Sequence, residues 1–207
     1  HVTASVDPYD ATILGVGCHS ASPQSGVNPI FLLAQVINAI QGIQSLRINP
    51  LQPAIISVEA VRAGDSSGVI PNEVHLHGNI RCFDRQVQRQ LAAELEKALA
   101  ITRAMGGDYR LTVRHTFPPT YNDPGVVAVL RQAAEEIVGA DSVYEPPPEM
   151  FGEDFSYMAQ QAPAAFFRLG AQIGDRDRPH HNPAFDVDES ALPVGAAVLA
   201  GTACRLL

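Results

Sequence analysis

The amino-acid sequence predicts an α+β protein, in which an antiparallel sheet with two helices on one face precedes a second, mostly helical segment. Between residues 8 and 116, strand-like and helical periodicities follow in the order β-α-β-β-α-β, which is the split βαβ, or ferredoxin-like, arrangement. After a Phe-Pro-Pro sequence at 117–119, the pattern changes to helices with one apolar strand. We therefore predict two domains, residues 1–116 and 117–207.

The first strand and helix are marked by signals at their ends. Residues 9–16 have the pattern of a strand that ends in a glycine-rich segment. Asn28 and Pro29 then supply an N-cap and a proline at the first helical position. The apolar positions that follow have helical spacing and predict a helix with one face in the core: Ile30, Leu33, Val36, Ile37, Ile40, Ile43 and Leu46.

A hairpin and a second helix complete the first domain. Residues 54–63 are rich in β-branched side chains, 65–68 have turn composition, and 73–83 alternate between apolar and polar positions. A helix with regular apolar spacing follows and ends at Gly106-Gly107, before a last strand at 109–115.

The second domain has too few strands for a sheet of its own. The sequence predicts helices at 126–138 and 155–161, a buried strand at 165–169, and a closing helix at 190–206 capped by Ser190. Helices with a single strand indicate part of a domain whose remaining strands are missing.

Charge and composition exclude some partners. The net charge is −8 over 207 residues and Lys and Arg are not clustered, which argues against nucleic acid as the main partner. No apolar run approaches the roughly 20 residues of a membrane helix, and no leader pattern stands at His1, so we expect no membrane contact. Cys18, Cys82 and Cys204 are widely spaced without a Cys-x-x-Cys pair, which favours a reduced, cytoplasmic setting.

A histidine-rich loop near the end of the chain suggests metal binding. His180 and His181 precede an Asn-Pro turn at 182–183, and three acids follow at 186, 188 and 189. Imidazole and carboxylate are ligands for transition metals, but one histidine cannot hold a catalytic metal and few partners are evident elsewhere.

Residues 64–68 match the Gly-x-Ser-x-Gly pattern of serine hydrolases, with Ser66 as the would-be nucleophile. That elbow needs a strand, a sharp turn and then a helix. Here a strand follows, so a hairpin turn is the better interpretation.

Several other polar side chains have both a functional and a structural interpretation. His75 and His77 share one face of a strand and could be a ligand pair, although a solvated sheet face is favoured. His19 follows two glycines that allow a sharp turn and can place it at the edge of the sheet. The spacing favours a functional role and a plain loop position equally. Arg81 could bind a carboxylate or be solvated, and Glu153 could complement a helix dipole or lie near a metal.

Six motifs in a fixed order resemble a known family. They are Gly-x-Gly-x-His-x-Ala-x-Pro at 15–23, Val-Ile-Pro-Asn-Glu at 69–73, Arg-x-Phe-Asp at 81–84, Gly-Glu-Asp-Phe-Ser at 152–156, Phe-Phe-Arg-Leu-Gly at 166–170 and His-Asn-Pro-x-Phe at 181–185. Together they resemble the metal-dependent amidohydrolases related to hippurate hydrolase and the indole-acetyl-amino-acid hydrolases. Aminoacylase, carboxypeptidase G and succinyl-diaminopimelate desuccinylase belong to the same larger group.

The resemblance implies a fold and an activity. An α/β zinc-peptidase-like catalytic domain would be interrupted by a ferredoxin-like lid through which two subunits dimerise, with residues 1–116 as the lid and 117–207 as the C-terminal portion of the catalytic domain. The implied reaction is hydrolysis of the amide bond of N-acyl amino acids or related small amides and peptides. Two divalent metal ions (Mn, Zn, Co or Ni) would activate water, with a glutamate as general base.

The resemblance also assigns roles to residues. His181 resembles a metal ligand, and His19 resembles the lid histidine that steadies the oxyanion in the active site of the partner subunit. Arg81 resembles an arginine that binds the substrate carboxylate, again across the dimer. Gly152 and Glu153 lie where the family lines its substrate pocket.

Two departures from the family limit these expectations. The other metal ligands and the general base come from an N-terminal half that these 207 residues do not contain, so we expect the chain alone to be inactive. A non-catalytic dimerisation or interaction remnant is the alternative. Gly68 stands where the family usually has a substrate-facing asparagine.

Overall fold

The chain divides into two compact units, in a computed structural model that describes residues 1–175 and 178–207. The first unit comprises His1, Thr3–Thr120 and Pro148–Tyr157. The second comprises Val2, Tyr121–Pro147 and Met158–Leu207. Helices and strands are mixed, as the sequence predicts for an α+β protein.

The first unit contains a four-stranded antiparallel sheet and two long helices. Its elements in chain order are β1 (Asp7–Leu14), β2 (Cys18–His19), α1 (Pro29–Arg47), β3 (Ala54–Ala63), β4 (Val69–Ile70), β5 (Glu73–Cys82), α2 (Arg85–Ala104) and β6 (Asp108–Val113). The sheet has the order β3-β5-β1-β6, and β2 pairs with β4 in a separate two-stranded ladder.

Both long helices begin at caps that are visible in the sequence. The Asn28 side chain accepts a hydrogen bond from the Ile30 amide at the start of α1, and Pro29 occupies the first turn. At the start of α2, Asp84 accepts from the amides of Gln86 and Val87. These bonds satisfy amides that have no partner within the helix, which fixes where each helix begins.

One face of the sheet and the inner faces of both helices form the core. Alternate residues of β1 are buried, and so are the apolar stripes of α1 and α2. The largest fully buried apolar side chains are Tyr9, Ile13, Leu32, Val36, Ile40, Val74, Ile80, Val87, Leu91, Leu95 and Leu99. Each such side chain contributes about 1.5–3 kcal/mol through its removal from water.

Helix α1 corrects one expectation from the sequence. By length and composition it could cross a membrane, although we expected no apolar run of that length. Leu32, Val36 and Ile40 are buried in the core of the first unit, and a helix in a protein core passes the same test.

Three chain segments run side by side at one end of the first unit. Thr3 pairs with Thr120 and with Glu149, and Val6 pairs with Phe117. The Ala4 amide lies 3.0 Å from the Phe151 carbonyl oxygen, and the Thr3 hydroxyl donates to that of Thr120 over 2.6 Å. The segment after residue 148 is therefore hydrogen-bonded to the segment that precedes β1.

Two longer helices form the second unit. They are α3 (Pro124–Val138), which Asp123 caps, and α5 (Leu192–Leu206). The short helix α4 (Phe155–Met158) belongs to the first unit up to Tyr157. Helices α3 and α5 pack together, with Ala133 of α3 close to Gly201 of α5. The predicted cap Ser190 lies instead in a single 3₁₀ turn, Glu189–Ala191, that Asp188 caps.

The predicted strand at 165–169 is not a strand in the described part of the chain. The Asn122 side chain takes the place of a neighbouring strand: its amide nitrogen donates to the Phe166 carbonyl, and its oxygen accepts from the Phe166 amide, both over 2.8 Å. A strand requires a ladder partner along its length, and one side chain supplies this at a single residue only.

Candidate functional site

His19 lies in a tight loop that glycines make possible. It pairs with Val69 in the ladder of β2 and β4. A Cβ atom on Gly17 would lie 2.8 Å from the Ile70 carbonyl oxygen, and one on Gly26 would lie 2.4 Å from that of Val16. Only glycine permits these close approaches of backbone to backbone, so the glycines hold the position of His19.

The hydrogen bond of His19 determines which of its nitrogens is available. The side chain is exposed, and its Nδ1 accepts from the Ala21 amide over 3.0 Å. In the neutral imidazole the proton therefore resides on Nε2, which is a donor with no partner among the described residues. A donor of this kind can stabilise the negative oxygen that forms when an amide carbonyl is attacked.

Arg81, Gly152 and Glu153 lie in one region of the first unit. The Arg81 Nη1 donates to the Met150 carbonyl oxygen over 2.9 Å, which ties β5 to the segment that contains the other two residues. A Cβ on Gly152 would lie 2.3 Å from a methyl carbon of Val6, so close packing explains the glycine. The Glu153 carboxylate accepts from the Asp154 amide and is half-buried.

His19 and Arg81 lie at opposite ends of the sheet. Strand β5 pairs with β1 so that Glu73 is opposite Leu14 and Ile80 is opposite Asp7. His19 follows the Leu14 end, whereas Arg81 is at the Asp7 end. The strand from Glu73 to Arg81 spans about 27 Å at 3.4 Å per residue.

His181 lies in an exposed turn with an unusual backbone. Its φ is +63°, and it is the one residue other than glycine with positive φ within 1–175 and 178–207. The Asn182 amide bonds the Pro179 carbonyl, and the Phe185 amide bonds that of Asn182. The His180 ring packs on the Phe185 ring, 5.0 Å between centroids, so the two imidazoles have different surroundings.

The described residues do not complete a metal centre. No group of three or more His, Cys, Asp or Glu side chains that could hold a metal occurs among them. Asp186 is paired with Arg178, and His77 bonds Asp10, which lowers the pKa of the Asp10 carboxyl. No catalytic step through a metal therefore follows from the described residues alone.

Two further features concern the first unit. Ser66 lies in the turn between β3 and β4 with no helix after it, which confirms the hairpin interpretation. Sequence reasoning missed a buried cluster around Asp7. The Asp7 carboxylate accepts hydrogen bonds from His115 Nδ1 over 2.9 Å and from the side-chain amide of Gln88 over 2.6 Å. These partners are 108 and 81 residues from Asp7, so no local signal predicts the cluster.

Comparison with known proteins gives a consistent family. Residues 6–205 match the family described as peptidase family M20/M25/M40. The chain is 34% identical over 208 residues to the N-acetyl-L-cysteine deacetylase of Bacillus subtilis, covering 99% of this chain and 48% of that protein. It is 29% identical to the IAA-amino acid hydrolase ILR1-like 2 of Arabidopsis thaliana, covering 99% and 47%. The chain thus spans about half the length of the curated relatives it matches.

Solved structures share the fold over the same span. The YXEP protein of Bacillus subtilis, described as a dinuclear metal binding peptidase, superposes with a TM-score of 0.77 at 24% identity and covers 99% of this chain and 51% of that one. A tripeptidase from Staphylococcus aureus gives a TM-score of 0.78 at 17% identity, covering 97% and 51%. At these identities the likeness concerns the fold alone.

Proposed function

The chain belongs to peptidase family M20/M25/M40, and we propose that it is the C-terminal portion of a metal-dependent amidohydrolase. The proposed reaction is hydrolysis of the amide bond of an N-acyl amino acid or a related small amide or peptide. The family match across residues 6–205 carries this proposal, together with relatives named as a deacetylase, amino acid hydrolases and carboxypeptidases.

In this proposal the two parts of the chain have different roles. Residues 1–116 are a ferredoxin-like lid through which two copies dimerise, and residues 117–207 are the C-terminal portion of the catalytic domain. The strand order β3-β5-β1-β6, with helices α1 and α2 between strands, supports the assignment of the lid. The proposed setting is reducing and cytoplasmic, which the three free cysteines support.

His19 is the proposed catalytic residue and acts in the site of the partner subunit. Its Nε2–H, left available by the bond from Ala21, supports a role in steadying the oxyanion. Arg81 is likewise proposed to act across the dimer.

Arg81 is the proposed ligand of the substrate carboxylate, and Gly152 and Glu153 are proposed to line the substrate pocket. The guanidinium has five N–H donors, of which one is described as donating a hydrogen bond, to the Met150 carbonyl oxygen. No described carboxylate pairs with Arg81, which leaves a charged fork for an anionic group.

His181 is the proposed metal ligand in an enzyme that holds two divalent ions. Its left-handed backbone supports this choice, because residues in sparsely populated conformations cluster at functional sites. When bound, the ions would supply Lewis acidity and an activated water. Manganese, zinc, cobalt and nickel all suit such ligands, so ligand type does not select among them.

The test begins with the source material. Mass spectrometry should find these residues in, or associated with, a polypeptide that carries His-x-Asp or Cys-x-His and Glu-Glu motifs. The purified 207-residue chain, given each of the four metals, should not hydrolyse N-acyl amino acids, whereas the protein with that additional polypeptide should.

Paired variants assign the metal ligand in that complete protein. His181→Ala should lower the bound metal, and His180→Ala should leave it near the wild-type level. Hydrolysis by the 207-residue chain alone would contradict the proposal, and inactivity of the complete protein would favour the non-catalytic dimerisation module.

A further inference from the structure

The loop between β1 and β2 contains one residue more than the segment that it faces. The last pair of the main sheet at this end is Leu14 with Glu73, and the nearest pair of the two-stranded ladder is Cys18 with Ile70. The three residues between Leu14 and Cys18 therefore lie opposite the two between Ile70 and Glu73. One extra residue of this kind is a β-bulge, which interrupts a ladder and redirects the side chains that follow it.

The bulge determines on which face of the ladder the His19 side chain lies. Side chains alternate between the two faces of a strand, so a slip of one residue in the pairing would move His19 to the opposite face. In the structure, His19 is opposite Val69. Strand β2 has only two residues, so its own ladder bonds are few and its register depends on what holds the bulge.

Asn72 holds the bulge through two hydrogen bonds. Its backbone carbonyl oxygen accepts from the Gly15 amide over 2.8 Å, and its side-chain Oδ1 accepts from the Gly17 amide over 2.9 Å. Val16, between these glycines, exchanges both backbone hydrogen bonds with Val27, each over 2.9 Å. Alternate residues of the bulge are thus held from different segments, and the Asn72 side chain supplies an acceptor where the ladder is interrupted.

The contact between Asn72 and Gly17 is close but local. An added Cβ on Gly17 would lie 2.9 Å from Asn72 Oδ1, so the amide can reach the oxygen because glycine has no side chain. Asn72 is exposed, and surface substitutions of this kind change the stability of a fold little. Loss of the side chain should therefore disturb the bulge without unfolding the first unit.

We propose that Asn72 is a positioning residue for His19, an inference that rests on the proposed function. By fixing the bulge, Asn72 sets the face of the ladder from which His19 presents its Nε2–H. An oxyanion forms in the transition state and not in the substrate complex. A misplaced donor therefore lowers kcat and leaves KM nearly unchanged.

Kinetics of the complete protein test this role with two substitutions at one position. Asn72→Ala removes the side-chain acceptor and should lower kcat about tenfold or more, with KM within about twofold of wild type. Asn72→Asp keeps a side-chain oxygen that can accept from Gly17 and should restore kcat to within about threefold. Unchanged kcat in Asn72→Ala, a rise in KM alone, or a loss of kcat that Asn72→Asp does not restore overturns the proposal.

A second asparagine provides the matched control. Asn49 is exposed and accepts from the Leu51 amide over 3.0 Å, in a turn that follows α1. Asn49→Ala therefore removes the same kind of bond from a different loop. It should leave both kcat and KM at the wild-type values, and a loss of kcat equal to that of Asn72→Ala overturns the proposal.

Nuclear magnetic resonance of the 207-residue chain gives a readout that does not depend on activity. Asn72→Ala should speed hydrogen exchange of the Gly17 amide by about tenfold or more and weaken the cross-strand Overhauser effects between His19 and Val69, while the resonances of α2 stay in place. Unchanged Gly17 exchange or unchanged cross-strand effects overturn the proposal, even if the complete protein is active. If both change but the complete wild-type protein is inactive, the proposed function fails and the placement of His19 by Asn72 stands.

Discussion

The two units of this chain differ in how they use apolar residues. In the first, the inner faces of α1 and α2 and one face of the sheet bury their apolar residues in one continuous core. In the second, α3 and α5 pack together, yet Leu192, Leu199 and Leu206 remain more than half exposed. Helix-forming sequence is thus present in both units, but only the first has the partner surface that a core requires. The difference indicates that the stability of this chain is concentrated in the first unit.

Truncation of a leucine should separate the units most strongly. Leu95 of α2 has 0% exposure. Leu95→Ala should lower the free energy of unfolding by about 2–5 kcal/mol, because it leaves a cavity in the core. Leu199→Ala in the isolated chain should change it by less than about 0.5 kcal/mol, because the side chain is already in water. Urea unfolding monitored by circular dichroism measures both, and equal losses would refute the contrast.

Glycine replacement should give a smaller contrast. A Cβ on Gly78, in the middle of the sheet, would lie 1.9 Å from the Ser57 carbonyl oxygen and 2.5 Å from the Tyr9 hydroxyl. Gly78→Ala should therefore destabilise the first unit by about 3 kcal/mol through overpacking. Gly170 of the second unit has no atom within 4 Å of an added Cβ, so Gly170→Ala should stay within about 0.5 kcal/mol. A tolerated Gly78→Ala would contradict the register of β3 and β5.

Arginine replacement should sharpen the comparison further. Arg81→Gln removes the bond to Met150 and should cost about 1 kcal/mol, with faster hydrogen exchange of the Ala4 amide, which bonds the same segment. Arg178→Gln removes an exposed pair with Asp186 and should cost about 0.5 kcal/mol or less. An unchanged exchange rate of the Ala4 amide in Arg81→Gln would show that the guanidinium does not stabilise the segment around Met150.

The acid response should give the smallest effect. Hydrogen bonds from Arg47, then Lys97, lower the pKa of Glu94 below its usual 4.5. A lowered folded-state pKa contributes stability above pH 4.5, and this contribution is lost as the pH falls through the folded-state value. Glu94→Gln should therefore have a shallower decline of melting temperature below about pH 4.5.

The corresponding group of the second unit is Asp188, whose pKa is lowered by hydrogen bonds from Ser190. Asp188→Asn should leave the melting of the first unit unchanged at every pH. If Glu94→Gln and wild type decline equally, the cluster around Glu94 contributes nothing to acid stability.

The sequence predicts best what is local. The cap at Asn28 and the alternation of β5 come from neighbouring residues, and the structure has α1 and β5 close to the predicted positions. Apolar composition alone suggested a strand at 165–169, and it forms none there because pairing depends on a distant neighbour.

The same division holds for the candidate site. The Asn-Pro sequence after His181 predicts a turn, and the glycines before His19 predict a tight loop. The bond from Arg81 to Met150 and the packing of Gly152 on Val6 join residues far apart in the chain. No sequence pattern predicts such contacts, because they depend on how distant segments cross.

Amide hydrogen exchange of the 207-residue chain by itself most directly tests the contrast between the units. The account predicts slow exchange in β5 and α2, near the limit set by global unfolding, and exchange in α5 that is at least a hundredfold faster. Addition of the polypeptide that is proposed to supply the rest of the catalytic domain should then slow exchange in α5 selectively. Exchange in α5 as slow as in β5, in the chain alone, would contradict the account, because the second unit would then be stable without a partner.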